Sequence, residues 1–321
     1  MKRRLLLCAF LCFLVLFGGH AGALAQEKYP SRPIDFICTW GVGGGSDQMV
    51  RTLAKLTEPI LGVPLPVSNK PGASGNSGTT DLLAAKEDGY TIANYIADTL
   101  ATVAAGQTRY KSEDIEWIVR TQNMPSFLFV KADGPFADIH ALLKAVKENP
   151  NKIKMAGLGF GTIDDITLRY LASKGYKMTL VPNPNPGERY ASVLGGHNEV
   201  LYEQAGDIRQ YLEAKQLKPV IVFAEKRFPA FPDVPCSKEL GFEIFMPQFR
   251  CVIAKKGVPA DRVKILSDAF VKAMQTPEWK KFNQEQYADE ASTLAGPEFA
   301  RWVDGELKTM QRLMREFGIL K

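Results

Sequence analysis

Short runs of β-branched and apolar residues alternate along the chain with segments whose apolar positions recur at helical spacing. The run at 34–39 is typical of a strand and leads into a glycine-rich turn. Apolar residues then follow a helical period from 49 to 60, until Gly62 ends the pattern. Because strands that alternate with helices favour helices layered on largely parallel sheet, the pattern predicts an α/β protein.

The same alternation continues to the C-terminus. A strand, a glycine turn and a helix follow one another again at 152–156, 157–161 and 163–173, which repeats the opening architecture. The other predicted strands are 65–67, 91–96, 127–131, 179–181, 199–202, 219–224 and 250–254. The other predicted helices are 79–86, 139–148, a short segment ending at Gly195-Gly196, 261–275 and 297–317.

The N-terminus has the three parts of a secretory signal peptide. Basic residues at 2–4 precede an apolar run at 5–17, and Ala23-Leu24-Ala25 supplies an A-x-A cleavage site. The apolar run is shorter than the roughly 20 residues that a membrane span needs, which disfavours a retained anchor. We therefore expect residues 1–25 to be removed and the mature protein to be secreted.

Charge and cysteine content limit the partners. The chain has 40 Lys and Arg against 35 Asp and Glu, a net charge of +5, but residues 2–4 supply three of the basic side chains. The mature chain is thus nearly neutral, and no basic stripe points to nucleic acid. Cys38, Cys236 and Cys251 remain at scattered positions, which is compatible with one disulfide or with three buried thiols.

The two glycine turns are candidate anion sites. A glycine turn that leads from a strand into a helix gathers backbone N–H groups at the positive end of the helix dipole. For any single turn, tight packing against the sheet is the alternative. Nucleotide-binding patterns do not fit. Ser46 and Thr162 stand where a P-loop needs Lys, and Ser46 also stands where a dinucleotide-binding motif needs its third glycine.

Catalytic patterns are also missing from the sequence. Ser74 and Ser77 do not complete a G-x-S-x-G elbow, and His140 and His197 have no acidic or metal-binding partner at a recognised spacing. We predict no enzyme, no metal and no cofactor. Binding remains, because ligands of open α/β sheets collect where strands end, and two facing domains enclose a ligand by hinge closure. Small or hydroxyl residues lie in four such loops: 43–47, 74–78, 97–99 and 159–162.

Seven short motifs occur in order over nearly the whole mature chain. They are YPSRPI (29–34), GGGSD (43–47), NKPGASGNSG (69–78), DGYT (88–91), LGGH (194–197), FPDVP (231–235) and GVP (257–259). Together they resemble the Bug family, the periplasmic solute-binding receptors of tripartite tricarboxylate transporters. Several motifs in register are far more specific than one glycine loop.

The resemblance implies a type II periplasmic-binding-protein fold, with two α/β lobes, hinge strands and a ligand cleft between the lobes. Residues 26–123 with 225–321 form lobe 1, and residues 124–224 form lobe 2. The implied ligand is a small organic carboxylate, and the implied partners are membrane transporter subunits; we expect a periplasmic monomer. The candidate ligand-binding residues are Trp40, Gly43, Gly44, Gly45, Ser46, Asp47, Asn76, Ser77, Asp98, Thr99, Gly161, Thr162 and Asp164.

The chain departs from the family pattern at several of these positions. Trp40 precedes the first glycines, where it would either stack on a planar ligand or pack in the cleft wall. Asp98 stands among residues that are usually small hydroxyls, and Asp164-Asp165 follows the facing glycine loop. The segment at 181–187 lacks the tyrosine and lysine that relatives carry.

Two interpretations of these acids remain open. Carboxylates in a first helical turn complement the helix dipole by about 0.3 to 1 kcal/mol, and Thr162 with Asp165 has the spacing of a capping box. Alternatively, Asp47, Asp98 or Asp164 meets a cationic part of the ligand, since a desolvated carboxylate needs a partner.

The sequence as a whole predicts a receptor that captures a small organic carboxylate without catalysis. A ligand sensor for a membrane signalling protein would use the same fold. A secreted enzyme on this scaffold is the weaker alternative, because no nucleophile, base or metal set stands out.

Overall fold

The computed structural model describes residues 28–289 and 291–320. Residues from Arg32 onward belong to one compact unit, and the short stretch described before it contains a cis Tyr29–Pro30 peptide. The predicted signal peptide, residues 1–25, lies outside the described residues. Among those described, no helix has the length and apolar character that crossing a membrane requires.

The first of two sheets has six strands. They are β1 (Asp35–Cys38), β2 (Val67–Asn69), β3 (Thr91–Ile96), β4 (Ile115–Met124), β10 (Gln248–Lys255) and β11 (Leu294–Ala295), in the spatial order β11-β4-β10-β3-β1-β2. β1 is parallel to β2 and β3, whereas β10 runs antiparallel to β3 and β4. The helices that belong to this part of the chain are α1 (Gly45–Leu61), α2 (Asn76–Ala84), α3 (Ala97–Ala104), α8 (Ala260–Met274), α9 (Pro277–Glu285) and α10 (Gly296–Glu316).

The second sheet has five strands, all from the middle of the chain. They are β5 (Ser126–Lys131), β6 (Lys154–Gly157), β7 (Thr179–Pro182), β8 (Val200–Glu203) and β9 (Leu217–Phe223), in the order β7-β6-β8-β5-β9. β6 is parallel to β7 and β8, and β5 is antiparallel to β8 and β9. The helices here are α4 (Ile139–Glu148), α5 (Ile163–Ser173), α6 (Pro186–Leu194) and α7 (Arg209–Glu213).

The chain passes between the sheets twice, at neighbouring places. β4 ends at Met124, which pairs with Gln248, and β5 begins at Ser126, which pairs with Phe223. Pro125 therefore makes one crossing, and residues 224–247 make the other. Two sheets joined by two adjacent crossings confirm the predicted α/β fold with two lobes; we call the body around the six-stranded sheet lobe 1 and the other lobe 2.

One buried apolar cluster extends through both lobes. In lobe 1 the ring of Trp117 makes edge contacts with Tyr95, at 5.2 Å between centroids, and with Phe299 of α10, at 6.0 Å. Just beyond α10, Phe317 lies 5.6 Å from Tyr170 of α5 in an edge-to-face arrangement. The C-terminal helix thus ties the lobes together.

The structure decides the state of the cysteines that the sequence left open. Cys38, Cys236 and Cys251 are buried and unbridged. Of the two possibilities, three buried thiols is the one found.

Several predicted elements need correction. The sheets are mixed rather than largely parallel, because β5 and β10, which flank the crossings, run antiparallel to their neighbours. β4 was absent from the prediction, and α3 begins where a loop at 97–99 was expected. α9 was also absent, although its start is signalled by Thr276, whose hydroxyl accepts from Trp279 N at 3.3 Å, and by Pro277 in the first turn.

Candidate functional site

The first glycine loop, residues 41–44, is held by an acid of the helix that follows it. Asp47, in the first turn of α1, accepts hydrogen bonds from Gly43 N at 3.0 Å, Arg51 Nε at 2.9 Å and Asn69 Nδ2 at 2.9 Å. Burial alone would raise the pKa of Asp47, but the hydrogen bonds from Arg51, Gly43 and Asn69 hold it below its ordinary value. Asp47 is thus used to shape the loop.

The second glycine loop repeats this arrangement in lobe 2. Asp165 accepts from Gly161 N at 2.9 Å and from Arg169 Nε at 3.0 Å. Gly161 has a φ of 77° and Gly43 a φ of 82°, in the left-handed region that residues with a Cβ rarely adopt. The residues just before these two glycines, Val42 and Phe160, are large apolar side chains that remain 73% and 58% exposed. Each lobe therefore presents a G-x-x-x-D-x-x-x-R turn with an apolar tip.

Asp164 points into its own loop. Its carboxylate accepts from Leu158 N, from the Thr162 hydroxyl and, at 3.1 Å, from Asp165 N. Burial raises the pKa of Asp164 well above its ordinary value, and the nearby charge of Asp98 raises it further. The predicted capping box of Thr162 with Asp165 is wrong. The Thr162 side chain forms no cap, and Asp165 accepts from the N–H of Gly161, the residue before Thr162.

Asp98 reaches from lobe 1 to the start of a helix in lobe 2. It is fully buried in the first turn of α3, and it accepts from Ile163 N at 3.1 Å and from Gln248 Nε2. Ile163 is the first residue of α5, so its N–H has no partner within the helix. Burial raises the pKa of Asp98 to about 6. A carboxylate thus occupies a helix N-terminus between the lobes.

Asn76 and Thr99 hold the loop at 74–78 rather than facing open space. Asn76 donates to the Thr102 hydroxyl at 2.9 Å and accepts from the Tyr110 hydroxyl at 2.5 Å. Thr99 donates to the carbonyl of Ser74 at 2.9 Å. Both side chains fix α2 and its preceding turn onto α3.

Trp40 and Ser77 lie in different surroundings. Trp40 is 8% exposed, and its carbonyl accepts from Asn69 Nδ2 at 3.0 Å. Its indole Nε1 is buried, with no hydrogen-bond partner in the described part of the chain, beside Gly75. Ser77 is exposed, with its hydroxyl over Gly72. The structure brings the indole N–H of Trp40 into the protein interior and leaves Ser77 outside.

The glycine loops are where the lobes touch. A Cβ on Gly44 would lie 3.0 Å from Pro186 Cγ of α6, and a Cβ on Gly161 would lie 2.6 Å from the side-chain nitrogen of Gln107, just beyond α3. A side chain at either position would require the facing residue to move while the lobes are in contact. The close approach of the lobes thus favours glycine at both positions, and at Gly161 the positive φ adds to this preference.

The sequence analysis missed a buried ion pair that joins the lobes. Arg250 of β10 donates through Nη2 to Asp207 Oδ2 of lobe 2 at 2.5 Å, and through Nη1 to Gln122 Oε1 at 3.0 Å. The side chains are 3% and 7% exposed, and a Cβ on Gly45 would lie less than 3.0 Å from both. An arginine inside the apolar segment at 249–254 was the available signal, because buried charges are paired.

A cavity of about 1560 Å³ lies away from these loops, beside the two crossings. Its wall includes Pro125, Phe223, Phe228, Trp279 and Tyr287, and it contains none of the predicted site residues. The facing glycine loops, and not this cavity, therefore form the candidate site. Two α/β lobes with two crossings and helix N-termini that face each other define the class of two-lobed solute-binding proteins.

The comparisons with known proteins give the family. A sequence profile described as "Tripartite tricarboxylate transporter family receptor" (TctC) matches residues 49–319. The chain belongs to this receptor family. It is 26% identical to Protein BugT of Bordetella pertussis over 324 residues, 97% of each chain, so the predicted resemblance to Bug proteins is confirmed.

Solved structures show the same fold. The periplasmic binding protein BugD is 25% identical, with a TM-score of 0.80 over 91% of this chain and 100% of that one. MatC of Rhodopseudomonas palustris, solved with bound malate, is 22% identical, with a TM-score of 0.79 over 89% of this chain and 99% of that one. The family to which the chain belongs is thus one of solute-binding receptors.

Proposed function

We propose that the protein captures a small organic carboxylate between its lobes and delivers it to the membrane subunits of a tripartite tricarboxylate-type transporter. Membership of the receptor family supports the delivery role, and the malate held by MatC supports the ligand class. The observation that carries the proposal is the position of the N-terminus of α1, where a Cβ on Gly44 would lie 3.0 Å from Pro186 of lobe 2, since helix N-terminal amides that face the other lobe are suited to hold a carboxylate.

The proposal assigns residues 26–123 with 225–321 to lobe 1 and residues 124–224 to lobe 2, with hinges at Pro125 and in the 224–247 crossing. Support comes from the strand pairs on either side of these crossings. Rotation about two adjacent connections opens and closes a cleft without disturbing either sheet.

Within the cleft, the predicted site residues divide into two groups. Ligand contacts are assigned to the N-terminal amides of α1, at Gly44, Gly45 and Ser46, and to the buried indole N–H of Trp40. The other residues hold the loops through the hydrogen bonds or positive φ described above, or lie exposed at the rim: Gly43, Asp47, Asn76, Ser77, Asp98, Thr99, Gly161, Thr162 and Asp164.

We further propose that residues 1–25 direct secretion to the periplasm and are cleaved, and that the mature receptor acts as a monomer without catalysis. N-terminal sequencing of the protein from a periplasmic extract tests the cleavage site, and light scattering tests the monomer.

Ligand binding is tested with the mature protein by isothermal titration calorimetry and thermal unfolding against malate, succinate, adipate and citrate, with aspartate and 2-aminoadipate included. A ligand at 100 times its dissociation constant stabilises the folded state by about 2.7 kcal/mol. We expect at least one acid to bind and to raise the melting temperature, and small-angle scattering to show a smaller radius of gyration with it. If no acid in this set binds, the proposal fails.

A further inference from the structure

The ion pair between Asp207 and Arg250 leaves bonding capacity unused. Asp207 Oδ1, Arg250 Nε and the indole Nε1 of Trp40 are all buried, and within the described residues none has a hydrogen-bond partner. Buried polar atoms are nearly always paired in folded proteins, so the two unmet atoms of the ion pair need an explanation. A ligand that completes the pair must offer at least one hydrogen-bond donor, an N–H or an O–H, to Asp207 Oδ1 and at least one acceptor to Arg250 Nε.

The position of the pair favours a cleft ligand over a purely structural role. Asp207 belongs to lobe 2 and Arg250 to lobe 1, and both lie against Gly45 at the start of α1. When the lobes separate about their crossings, an anionic group and a cationic group are exposed on opposite walls. A ligand with both charges matches both walls.

The charges around the pair point the same way. Among the described residues, Glu203 is a second buried acid near this pair. Arg189 already forms an ion pair with Glu203, with 2.6 Å between Nη2 and Oε2. Burial raises the pKa of Glu203, and the charge of Asp207 adds to the shift. Both buried arginines thus already have carboxylate partners, so a dicarboxylate brings two further negative charges close to Glu203 and Asp207, whereas an ammonium group brings a positive one.

We propose that the solute carries an amino group as well as a carboxylate, with the ammonium donating to Asp207 Oδ1 and the carboxylate bound by Arg250 and the N-terminal amides of α1. This inference rests on the proposed receptor function and narrows its ligand to small amino acids. Oδ1 accepts from an N–H or an O–H, and the negative charge of Asp207 favours an ammonium over a hydroxyl; primary and secondary ammonium groups fit, and quaternary ones, which have no N–H, do not.

Asp207, rather than an acid of the loops, is assigned this role because the loop acids are already bonded. Asp47 and Asp164 accept from their own loops through both oxygens, and Asp98 accepts from Ile163 and Gln248. Asp207 is the acid of this group with one oxygen buried and unpartnered.

The test uses two pairs of probes that differ only by an α-amino group: aspartate with succinate, and 2-aminoadipate with adipate. Calorimetry on the mature protein gives the ratio of dissociation constants within each pair. We expect the amino acid of at least one pair to bind ten-fold or more tightly than its deaminated analogue. Equal affinities in both pairs, or a preference for succinate or adipate, would overturn the inference and leave the receptor function intact.

Variants then show which acid makes the difference. Asp207→Asn is expected to reduce the ratio to about two-fold or less, whereas Asp207→Glu keeps a preference for the amino compound. Asp165→Asn is the matched control, because that carboxylate is bonded to Gly161 and Arg169, and its ratio should equal that of the wild type. An unchanged ratio in Asp207→Asn would refute the assignment.

Loss of the Asp207 charge leaves Arg250 buried without its partner, so Asp207→Asn is also followed by thermal unfolding. If it does not fold, the double variant Asp207→Asn/Arg250→Gln, which leaves no unpaired buried charge, replaces it, and a ratio that stays at the wild-type value there counts against the proposal. If no member of either pair binds to the wild type but malate or citrate does, the inference fails and the receptor function stands; if none of the six acids binds, both fail.

Discussion

Asp47 and Asp165 make matching contacts in the two lobes. Each accepts from the N–H of a glycine four residues earlier and from the Nε of an arginine four residues later, at distances that agree within 0.1 Å: 3.0 and 2.9 Å for Asp47, 2.9 and 3.0 Å for Asp165. Both lie in the first turn of a helix, where a carboxylate complements the dipole. The two lobes thus build their glycine loops in the same way.

This correspondence predicts equal and independent effects on stability. Asp47→Ala and Asp165→Ala should each lower the free energy of unfolding by about 1 to 3 kcal/mol, because each leaves a glycine N–H without its acceptor. The double variant should lose the sum, since the two acids share no partner. Urea denaturation measures all three. Asp268→Ala, which removes an exposed ion pair with Lys264, is the control and should change the free energy of unfolding little. A double variant whose loss differs clearly from the sum of the two single losses would show that the loops are coupled.

Asp98 predicts a stability that falls as pH rises. Its pKa is raised from 3.8 to about 6 in the folded protein, so the folded state holds the proton more tightly than the unfolded one. The cost of burying this charge is absent below 3.8 and grows as pH rises through about 6, to about 3 kcal/mol. Asp98→Asn removes the titrating group but keeps an acceptor for Ile163.

The difference in unfolding free energy, variant minus wild type, should therefore increase between about pH 4 and pH 6 and stay level above. Denaturation at a series of pH values measures it. A difference that does not vary with pH would show that Asp98 is ionised without penalty.

Asp47 should show the opposite sign. The hydrogen bonds from Arg51, Gly43 and Asn69 outweigh burial and hold its pKa below the ordinary value, so its contribution is present above 3.8 and is lost as pH falls through the folded pKa. The stability gap between wild type and Asp47→Asn should shrink with acidification. The same denaturation series checks this, and a gap that widens at low pH would contradict it.

Gly45→Ala should prevent the lobes from closing. The added methyl would lie within 3.0 Å of both Asp207 and Arg250, a distance at which one of the groups must move. We expect at least a ten-fold loss of ligand affinity, about 1.4 kcal/mol, and a larger radius of gyration by small-angle scattering. Gly305→Ala is the control, because its Cβ meets open space in the exposed face of α10. There alanine should stabilise the helix by about 0.5 to 1 kcal/mol and leave affinity unchanged.

The thiols should be inert until the protein unfolds. Burial raises the pKa of Cys38 to about 11 and that of Cys251 well above its ordinary value, so neither forms a thiolate at neutral pH. A thiol reagent such as dithionitrobenzoate should react with none of the three cysteines in the native mature protein and with all three in denaturant, without reductant. Fewer than three in denaturant would indicate a disulfide.

Local patterns predicted the strands and helices around the glycine loops, although α1 begins at Gly45, four residues before its predicted start. The strand at β1, the turn and α1 follow from apolar runs, glycines and helical spacing within 30 residues, and β6, its turn and α5 follow in the same way. The small and polar residues at 97–99 predict a loop, but they form the first turn of α3. α3 packs against α10, which starts almost 200 positions later in the chain, and no local pattern encodes that contact.

The sequence by itself determined that this is an α/β receptor with two glycine loops, because strand, turn and family motifs are encoded in consecutive residues. Tertiary structure alone decided which polar groups those loops leave for a ligand. Asp98 meets Ile163 across 65 positions and Arg250 meets Asp207 across 43, and no local pattern specifies such pairs. Whether a buried carboxylate is bonded or unmet depends on the donors that folding brings within hydrogen-bond distance, and that is settled only when the lobes come together.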